Sequence, residues 1–253
     1  MCGKQPLFFS LSDLNKPKGN FTMQIDILQL IDGARAAHGI TVIIDVFRAF
    51  SLEAYMLASG VECIHPVGDV NEAYAMKKQH PDYILAGERG GAILPGFDTG
   101  NAPSELYKLA LKGKTVVHTT SAGTQGVANA TGASEMLGAS LVNARATAEY
   151  IKRTGAETVS LVCMGLEAKE PTDEDTLCAR YIKAILEGKE SEIDLETEIE
   201  RLKFTSGAKF FDEKQNHVFP RKDFFMCVDV DKFDFAIRYD SEKKFMYKEE
   251  MGI

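Results

Sequence analysis

The sequence lacks the features of several protein classes. Its five cysteines are odd in number and form no CxxC pair, so neither a disulfide framework nor a zinc knuckle is indicated. No stretch approaches the roughly 18 apolar residues of a membrane span, and the apolar run at 7–9 is too short for a signal peptide. No Lys/Arg run stands out, and the net charge is −8. We therefore expect a cytoplasmic protein with no membrane and no nucleic-acid partner.

What is present is ordinary globular material: 253 residues, 45% of them hydrophobic, enough for one large core. Residues 1–22 are polar and loop-like and are predicted to be a flexible extension, leaving 23–253 as a single α/β domain. Apolar runs alternate there with helical patterns, which predicts a mixed sheet with crossover helices. A helix is predicted from 102–104 to about 113, and one or two antiparallel strands within 225–239.

Polar residues concentrate where predicted strands end, which is where open α/β sheets bind ligands. The apolar run 40–46 contains Asp45, and Arg48 follows it. A carboxylate in an apolar strand is costly unless it is paired or binds a metal. Asp45 is therefore a candidate metal ligand or catalytic group, and Arg48 a candidate for neutralising an anion. The alternative is a structural ion pair between the two, or a helix cap.

The second candidate segment is the glycine-rich loop 87–101, whose length favours a functional role over an ordinary surface loop. Arg89 can bind a phosphate or sulfonate through two parallel hydrogen bonds. Glu88 and Asp98 are candidates for the general acid or base, and Asn101 for substrate binding.

A third segment follows the strand predicted at 115–118, where small hydroxyl residues and a glycine precede a helix. Such a turn can hold a phosphate at the positive end of the helix, although the same residues are common caps. The candidate substrate-binding residues of this turn are Thr119, Thr120, Ser121, Gly123 and Thr124.

The fourth segment is the acidic run 173–175. Acidic side chains in a first helical turn are favoured by the helix dipole, but Glu174 or Asp175 could also bind a metal. The histidines show no HExxH spacing, and His118 is interpreted as a packed side chain. Because the candidate ligands are all oxygens, they favour Mg²⁺ or Mn²⁺ over Zn²⁺.

Together, in this order, these motifs resemble the 2-phosphosulfolactate phosphatase family, Mg²⁺-dependent enzymes associated with coenzyme M biosynthesis. The resemblance runs from about residue 23 to the C-terminal strands, through segments 44–49, 87–89, 96–103, 119–124 and 174–178. It implies an α/β fold particular to that family and hydrolysis of a phosphate monoester of a small carboxylated or sulfonated acid.

The sequence departs from the usual family pattern at Phe50, Ala122 and Arg180, where Thr, Asn and Gly are typical. Loss of a hydroxyl and an amide could change the substrate. Two alternatives therefore stay open: a metal-dependent lyase or aldolase acting on a phospho-acid, and a metabolite-binding protein without turnover. For the oligomeric state, a homodimer also stays open.

The hypothesis is that Asp45 and Asp175, with Glu174 or Glu88, bind Mg²⁺, which bridges a phosphate oxygen and orients a water. Arg48 and Arg89 would neutralise the phosphate, while the 119–124 turn would hold the phosphate or the carboxylate of a small anionic phospho-acid. The hypothesis requires these distant residues to converge in one crevice.

Overall fold

A computed structural model describes residues 23–252. The prediction of a flexible extension at 1–22 lies outside the described residues. Within the described part, no helix is long and apolar enough to cross a membrane. The strands are β1 (Gln24–Gln29), β2 (Gly39–Ile44), β3 (Cys63–Pro66), β4 (Ile84–Arg89), β5 (Ala92–Ile93), β6 (Thr115–Thr119), β7 (Ala133–Ala139), β8 (Thr158–Cys163), β9 (Phe235–Asp240) and β10 (Phe245–Glu250). The α-helices are α1 (Leu30–Ala36), α2 (Ala49–Ala58), α3 (Val70–Gln79), α4 (Gly123–Asn129), α5 (Ala144–Thr154), α6 (Asp173–Glu187), α7 (Leu195–Leu202) and α8 (Arg221–Cys227).

The ten strands form one mixed sheet in the order β1-β8-β2-β7-β9-β10-β3-β6-β4-β5. Two parallel blocks, β1-β8-β2-β7 and β3-β6-β4, are joined by the antiparallel hairpin of β9 and β10. The predicted α/β class, with its mixed sheet and antiparallel C-terminal strands, is confirmed. The hairpin connects the two parallel blocks into one continuous, curved sheet.

Helix α2 lies at the centre of the fold. It is apolar on nearly all sides, as expected for a helix with no solvent face, and Phe50, Leu52 and Met56 are fully buried. Strands from both parallel blocks contribute to the same core as α2, including Ile43 of β2 and Val116 of β6. The sheet therefore wraps around the helix.

This curvature brings distant strand ends together. Five strand spacings separate β2 from β6 in the sheet order, about 24 Å on a flat sheet with strands about 4.8 Å apart. Yet the Asp45 carboxylate after β2 accepts a hydrogen bond at 2.8 Å from the Gly123 amide after β6. The carboxyl ends of both blocks consequently face one crevice.

Two predicted elements differ from the observed ones. The helix predicted to end near 113 is a short 3-10 helix at Pro103–Lys108, followed by an irregular loop and a turn before β6. The segment 225–239 begins inside α8, so the antiparallel pair lies further along, as β9 and β10. The alternating apolar pattern therefore correctly predicted antiparallel strands but placed their start too early, since β9 begins at Phe235.

Candidate active site

A small cavity lies at the joint carboxyl ends of the two parallel blocks. Its volume is about 90 Å³, well below the roughly 300–1,000 Å³ of sites that enclose drug-sized ligands. The site therefore suits a small ligand. Four buried carboxylates and two cations line it: Asp45, Glu88, Glu174, Asp175, Arg48 and Lys209.

Backbone N–H groups hold Asp45 from two directions. Its Oδ1 accepts from Ala49 N at 3.1 Å, which begins α2, and its Oδ2 accepts from Gly123 N at 2.8 Å, which begins α4. A Cβ atom on residue 123 would lie 2.9 Å from the Cβ of Ala49 and 3.0 Å from the Asp45 Oδ2. Glycine is required there because any side chain would push α4 away from the carboxylate.

Asp175, in the first turn of α6, has the same kind of support. Its Oδ1 accepts from Val46 N and its Oδ2 from Gly165 N, both at 2.8 Å. Gly165 has φ +66°, a left-handed conformation that favours glycine. Asp175 thus joins the chain after β2 to the chain after β8.

Glu88, near the end of β4, completes the pattern. Its Oε1 accepts from Ser121 N at 2.7 Å and its Oε2 from Gly91 N at 2.6 Å. Three carboxylates are therefore held rigidly by loops from both halves of the sheet. Glu88 Oε2 also accepts from the Ser121 hydroxyl at 3.3 Å. Each oxygen of Asp45 and Asp175, in contrast, accepts one bond and keeps a second lone pair for a ligand.

The acidic cluster is electrostatically unfavourable by itself. Burial raises the pKa of Asp45 to about 6, with the charges of Glu88 and Glu174 acting in the same direction and the two N–H bonds opposing it. Burial, then Glu174 and Asp45, raise the pKa of Asp175 well above its usual range. Burial also raises the pKa of Glu174, against the opposing influence of the Ser206 hydroxyl and the Lys209 ammonium. A bound cation would relieve this repulsion.

Arg48 lines the cavity but is already partly engaged. Its Nη1 donates to Asp223 Oδ2 at 2.7 Å and to Val218 O at 3.0 Å, and its guanidinium lies over the Phe219 ring, 5.0 Å from the centroid. Its Nε and Nη2 have no acceptor among residues 23–252. Arg48 can therefore be anchored by Asp223 and still offer donors to an anion.

Two residues of this site were not identified from the sequence. Asp223, fully buried in α8, also accepts from Ser104 N, but it lies in a polar C-terminal stretch without any strand-end pattern. Lys209 lies in that same stretch. Its ammonium forms no salt bridge within the described part of the chain and lies 5.1 Å from the Phe219 ring centroid.

Several predicted substrate-binding residues use their polar atoms on the protein itself. The Arg89 guanidinium donates to Glu88 O, Gly68 O and the Thr119 hydroxyl, and Arg89 is not among the residues lining the cavity. Thr120 and Thr124 bond to each other, each hydroxyl accepting from the other's backbone N–H. Of the 119–124 turn, Ser121 and Ala122 line the cavity, and Asn101 joins them from the preceding loop.

Asp98, predicted as a general acid or base, lies outside the crevice. Its Oδ2 accepts from Leu85 N at 2.8 Å and lies 3.3 Å from Lys77 Nζ, and the residue is exposed to solvent. The carboxylate supports the turn beside β4. The structure therefore does not bring Asp98 together with the other predicted site residues, because its position in the loop near Asn101 does not place it in the cavity lining.

The three departures from the usual family pattern fall in different places. Phe50 packs in the core, where a Cβ on Gly138 would come within 2.4 Å of its ring. Arg180 is exposed and pairs with Glu198 at 3.2 Å. Of the three, Ala122 alone lines the cavity. Two of the departures therefore do not alter the crevice directly.

The donor set suits Mg²⁺ in its chemistry, because it contains oxygens and no His or Cys. Glu174 Oε2 is buried and has no hydrogen-bond partner in the described chain, so its lone pairs are available to a ligand. However, no three His, Cys, Asp or Glu side chains among residues 23–252 are already arranged around a metal position. Mg²⁺ usually keeps several waters and binds one or two carboxylates together with substrate phosphate, so this arrangement fits it.

Comparison with known proteins identifies the same family along nearly the whole chain. The family model described as 2-phosphosulpholactate phosphatase matches residues 25–242. A protein of Bacillus subtilis named "Probable 2-phosphosulfolactate phosphatase" is 33% identical over 218 residues, which are 85% of this chain and 93% of that protein. A protein of Caldicellulosiruptor saccharolyticus with that name is 42% identical over 144 residues, 55% of this chain and 59% of the relative.

Proposed function

The chain belongs to the 2-phosphosulpholactate phosphatase family, and we propose that it is a Mg²⁺-dependent phosphatase of small phospho-acids. The substrate is a phosphate monoester of a carboxylated or sulfonated acid, such as 2-phosphosulfolactate, and the products are the alcohol and inorganic phosphate. The observation that carries the proposal is the convergence of Asp45, Glu88, Glu174 and Asp175 with Arg48 and Lys209 in one small cavity.

The carboxylates divide between two roles. Asp45 and one of its neighbours Glu174 and Asp175 would hold Mg²⁺, because the three carboxylates repel one another and Glu174 has an unused oxygen. When bound, Mg²⁺ supplies charge neutralisation at the phosphate and orientation of a water. Glu88 lies on the opposite block of the sheet and is the remaining carboxylate that can exchange a proton with the attacking water or the leaving alcohol.

The two cations have separate targets. Arg48 is held by Asp223 and directs its remaining donors at the phosphate, where two parallel bonds are favoured. Lys209 is not neutralised by a salt bridge within the described residues and takes the second anionic group, the carboxylate or sulfonate. A substrate carrying two anionic groups therefore matches a crevice with two cations.

The proposal is tested by measuring phosphate release from 2-phosphosulfolactate and a panel of small phospho-acids, with Mg²⁺ and with chelator. We expect release with Mg²⁺ and loss of release with chelator. Phosphate esters of neutral alcohols of similar size serve as matched controls and should be poorer substrates. Release at equal rates in chelator would reject the metal, and no release from any ester would reject the phosphatase.

Product analysis in the same assay separates the alternatives. A lyase or aldolase would cleave a carbon–carbon bond, so a single alcohol product that keeps the whole carbon skeleton excludes it. A metabolite-binding protein would show heat of binding in calorimetry without phosphate release.

A further inference from the structure

A row of buried polar side chains leads from the core to the cavity wall. Glu53 of α2 and His118 of β6 are both fully buried, and His118 Nδ1 lies 2.8 Å from Glu53 Oε1. On the other side of the ring, His118 Nε2 lies 3.3 Å from Asn101 Oδ1. Asn101 is 6% exposed and lines the cavity. The row therefore connects an interior carboxylate to a group that can touch a ligand.

The contacts of the ring indicate which nitrogen carries a hydrogen. The side-chain oxygen of Asn101 can only accept, so its 3.3 Å contact with the ring requires a hydrogen on Nε2. Glu53 can partner Nδ1 in two ways that keep this hydrogen. It is either a carboxylate facing a ring with a hydrogen on both nitrogens, or a carboxylic acid that donates to Nδ1.

In both arrangements Nε2–H is a donor. It can then bond only to the oxygen of the Asn101 amide, so the Nδ2 amino group faces away from the ring. A ring without a hydrogen on Nε2 would instead need the amide turned over, with Oδ1 facing an anionic ligand. The hydrogen on Nε2 thus sets the polarity of the amide at the cavity wall.

We propose that Glu53 and His118 are positioning residues that hold the Asn101 amide with its Nδ2 donor directed at an oxyanion of the bound ligand. The inference rests on the proposed function for the identity of that ligand, a phosphate ester or its phosphate product. Asn101 contacts the ligand, and Glu53 and His118 act on the ligand only through Asn101.

Two properties of the Glu53–His118 pair are hard to explain by a structural role alone. Buried ion pairs can often be replaced by apolar side chains without loss of stability, so stability alone is a weak reason for this pair. Glu53 Oε2 is also buried without a hydrogen-bond partner in the described chain, an unfavourable feature that the fold retains. The pair is therefore better explained by its effect at the far end of the row.

The state of the ring can be read in the wild-type protein by NMR of ¹⁵N-labelled histidine. His118→Gln identifies the signals of His118 by their loss. We expect Nε2 to be protonated, and its signal to shift when inorganic phosphate is added with Mg²⁺. An Nε2 without a proton would overturn the proposal, whatever the activity of the protein.

A double-mutant cycle on binding of inorganic phosphate, measured by calorimetry with Mg²⁺, tests the direction of the effect. Asn101→Ala should weaken binding by about tenfold, the value of one hydrogen bond to a charged group. His118→Phe should cause a similar loss, and the double variant should lose no more than either single variant. Independent, multiplying losses would overturn the proposal, as would unchanged binding in Asn101→Ala.

Conservative variants separate positioning from a general effect on folding. Glu53→Gln can still donate to Nδ1 and keep the proton on Nε2, and His118→Gln can still donate to Asn101. Both should bind phosphate within about threefold of wild type, because each retains a donor where the row needs one. If both lose binding as completely as His118→Phe while remaining folded, the row does not act by donating to Asn101. A wild-type protein that binds phosphate but hydrolyses no ester would contradict the proposed function and leave this inference standing.

Discussion

The protein buries carboxylates in two different ways. Asp223 and Glu53 each face a basic side chain. Asp223 Oδ2 lies 2.7 Å from Arg48 Nη1, and Glu53 Oε1 lies 2.8 Å from His118 Nδ1. In contrast, Asp45 and Asp175 accept only backbone N–H bonds and repel each other. Burial alone therefore does not identify the proposed metal ligands. They are distinguished as buried carboxylates that the fold holds in place but does not neutralise.

The difference has an energetic meaning. Removing a paired carboxylate leaves the charge of its partner buried and uncompensated, whereas an unneutralised cluster is an unfavourable feature that a ligand can relieve. Removing a charge should therefore have opposite effects on stability in the two groups.

The largest effect is expected at the unneutralised cluster, on activity. Asp45→Asn should lower kcat/KM by about a thousandfold or more, roughly 4 kcal/mol of transition-state stabilisation, because it removes a proposed metal ligand. Phosphate release at saturating Mg²⁺ measures the loss, and circular dichroism should show a folded protein. Activity within tenfold of wild type would remove Asp45 from the site.

Asp223 should show the opposite behaviour, with a large effect on stability. Asp223→Ala leaves the Arg48 charge buried without its partner, which should lower the free energy of unfolding by about 3–5 kcal/mol in urea. The matched control replaces both partners, Arg48→Met with Asp223→Leu, and should recover much of that stability. A loss below about 1 kcal/mol for Asp223→Ala would mean that Arg48 is stabilised in some other way.

The pH dependence of the metal-free protein distinguishes the two groups. Because the folded-state pKa of Asp45 is raised to about 6, the folded protein binds this proton more tightly than the unfolded chain does. The stability from Asp45 is present below pH 4 and is lost as the pH rises through about 6, an effect on the order of 3 kcal/mol. The melting temperature, measured in chelator between pH 4 and 7, should therefore decrease as the pH rises.

Glu174→Gln provides the control for that trend. It removes a neighbouring charge that raises the pKa of both Asp45 and Asp175. The variant should be more stable than wild type at pH 7 in chelator and similar to it at pH 4. Equal melting temperatures at both pH values would show that the cluster does not repel as described.

A smaller effect is expected at Lys209, the cation without a salt bridge in the described part of the protein. Lys209→Met should raise KM for phospho-acids by about tenfold, close to 1.4 kcal/mol, because the second anionic group loses its partner. The phosphate ester of a neutral alcohol serves as the control substrate and should be little affected. Equal changes for both substrates would assign Lys209 to the phosphate instead.

The smallest effect is expected at Asp98, a carboxylate that is exposed and paired. Asp98→Asn should leave kcat within about twofold of wild type, because the side chain contacts Leu85 N and Lys77 outside the crevice. Steady-state phosphate release measures this, and a large loss of kcat would restore Asp98 as a catalytic candidate.

Several residues that line the cavity could be singled out from the sequence. A carboxylate at the end of an apolar strand and acidic residues at the start of a helix are local patterns, and they pointed to Asp45 and Asp175. Arg89 and the threonines of the 119–124 turn fit the same reasoning, but their partners are other protein groups. Local sequence does not show which polar atoms the fold has already satisfied.

By itself, the sequence determined the alternation of strands and helices, the buried character of α2, and the oxygen-rich chemistry of the site, because each depends on residue type and spacing along a short segment. The tertiary structure alone decided which residues meet. The curved sheet brings strand ends that would be about 24 Å apart on a flat sheet into contact. It also brings Lys209 and Asp223 of the polar C-terminal stretch to the cavity and to Arg48. Contacts of that kind depend on the path of the whole chain, and no local pattern encodes them.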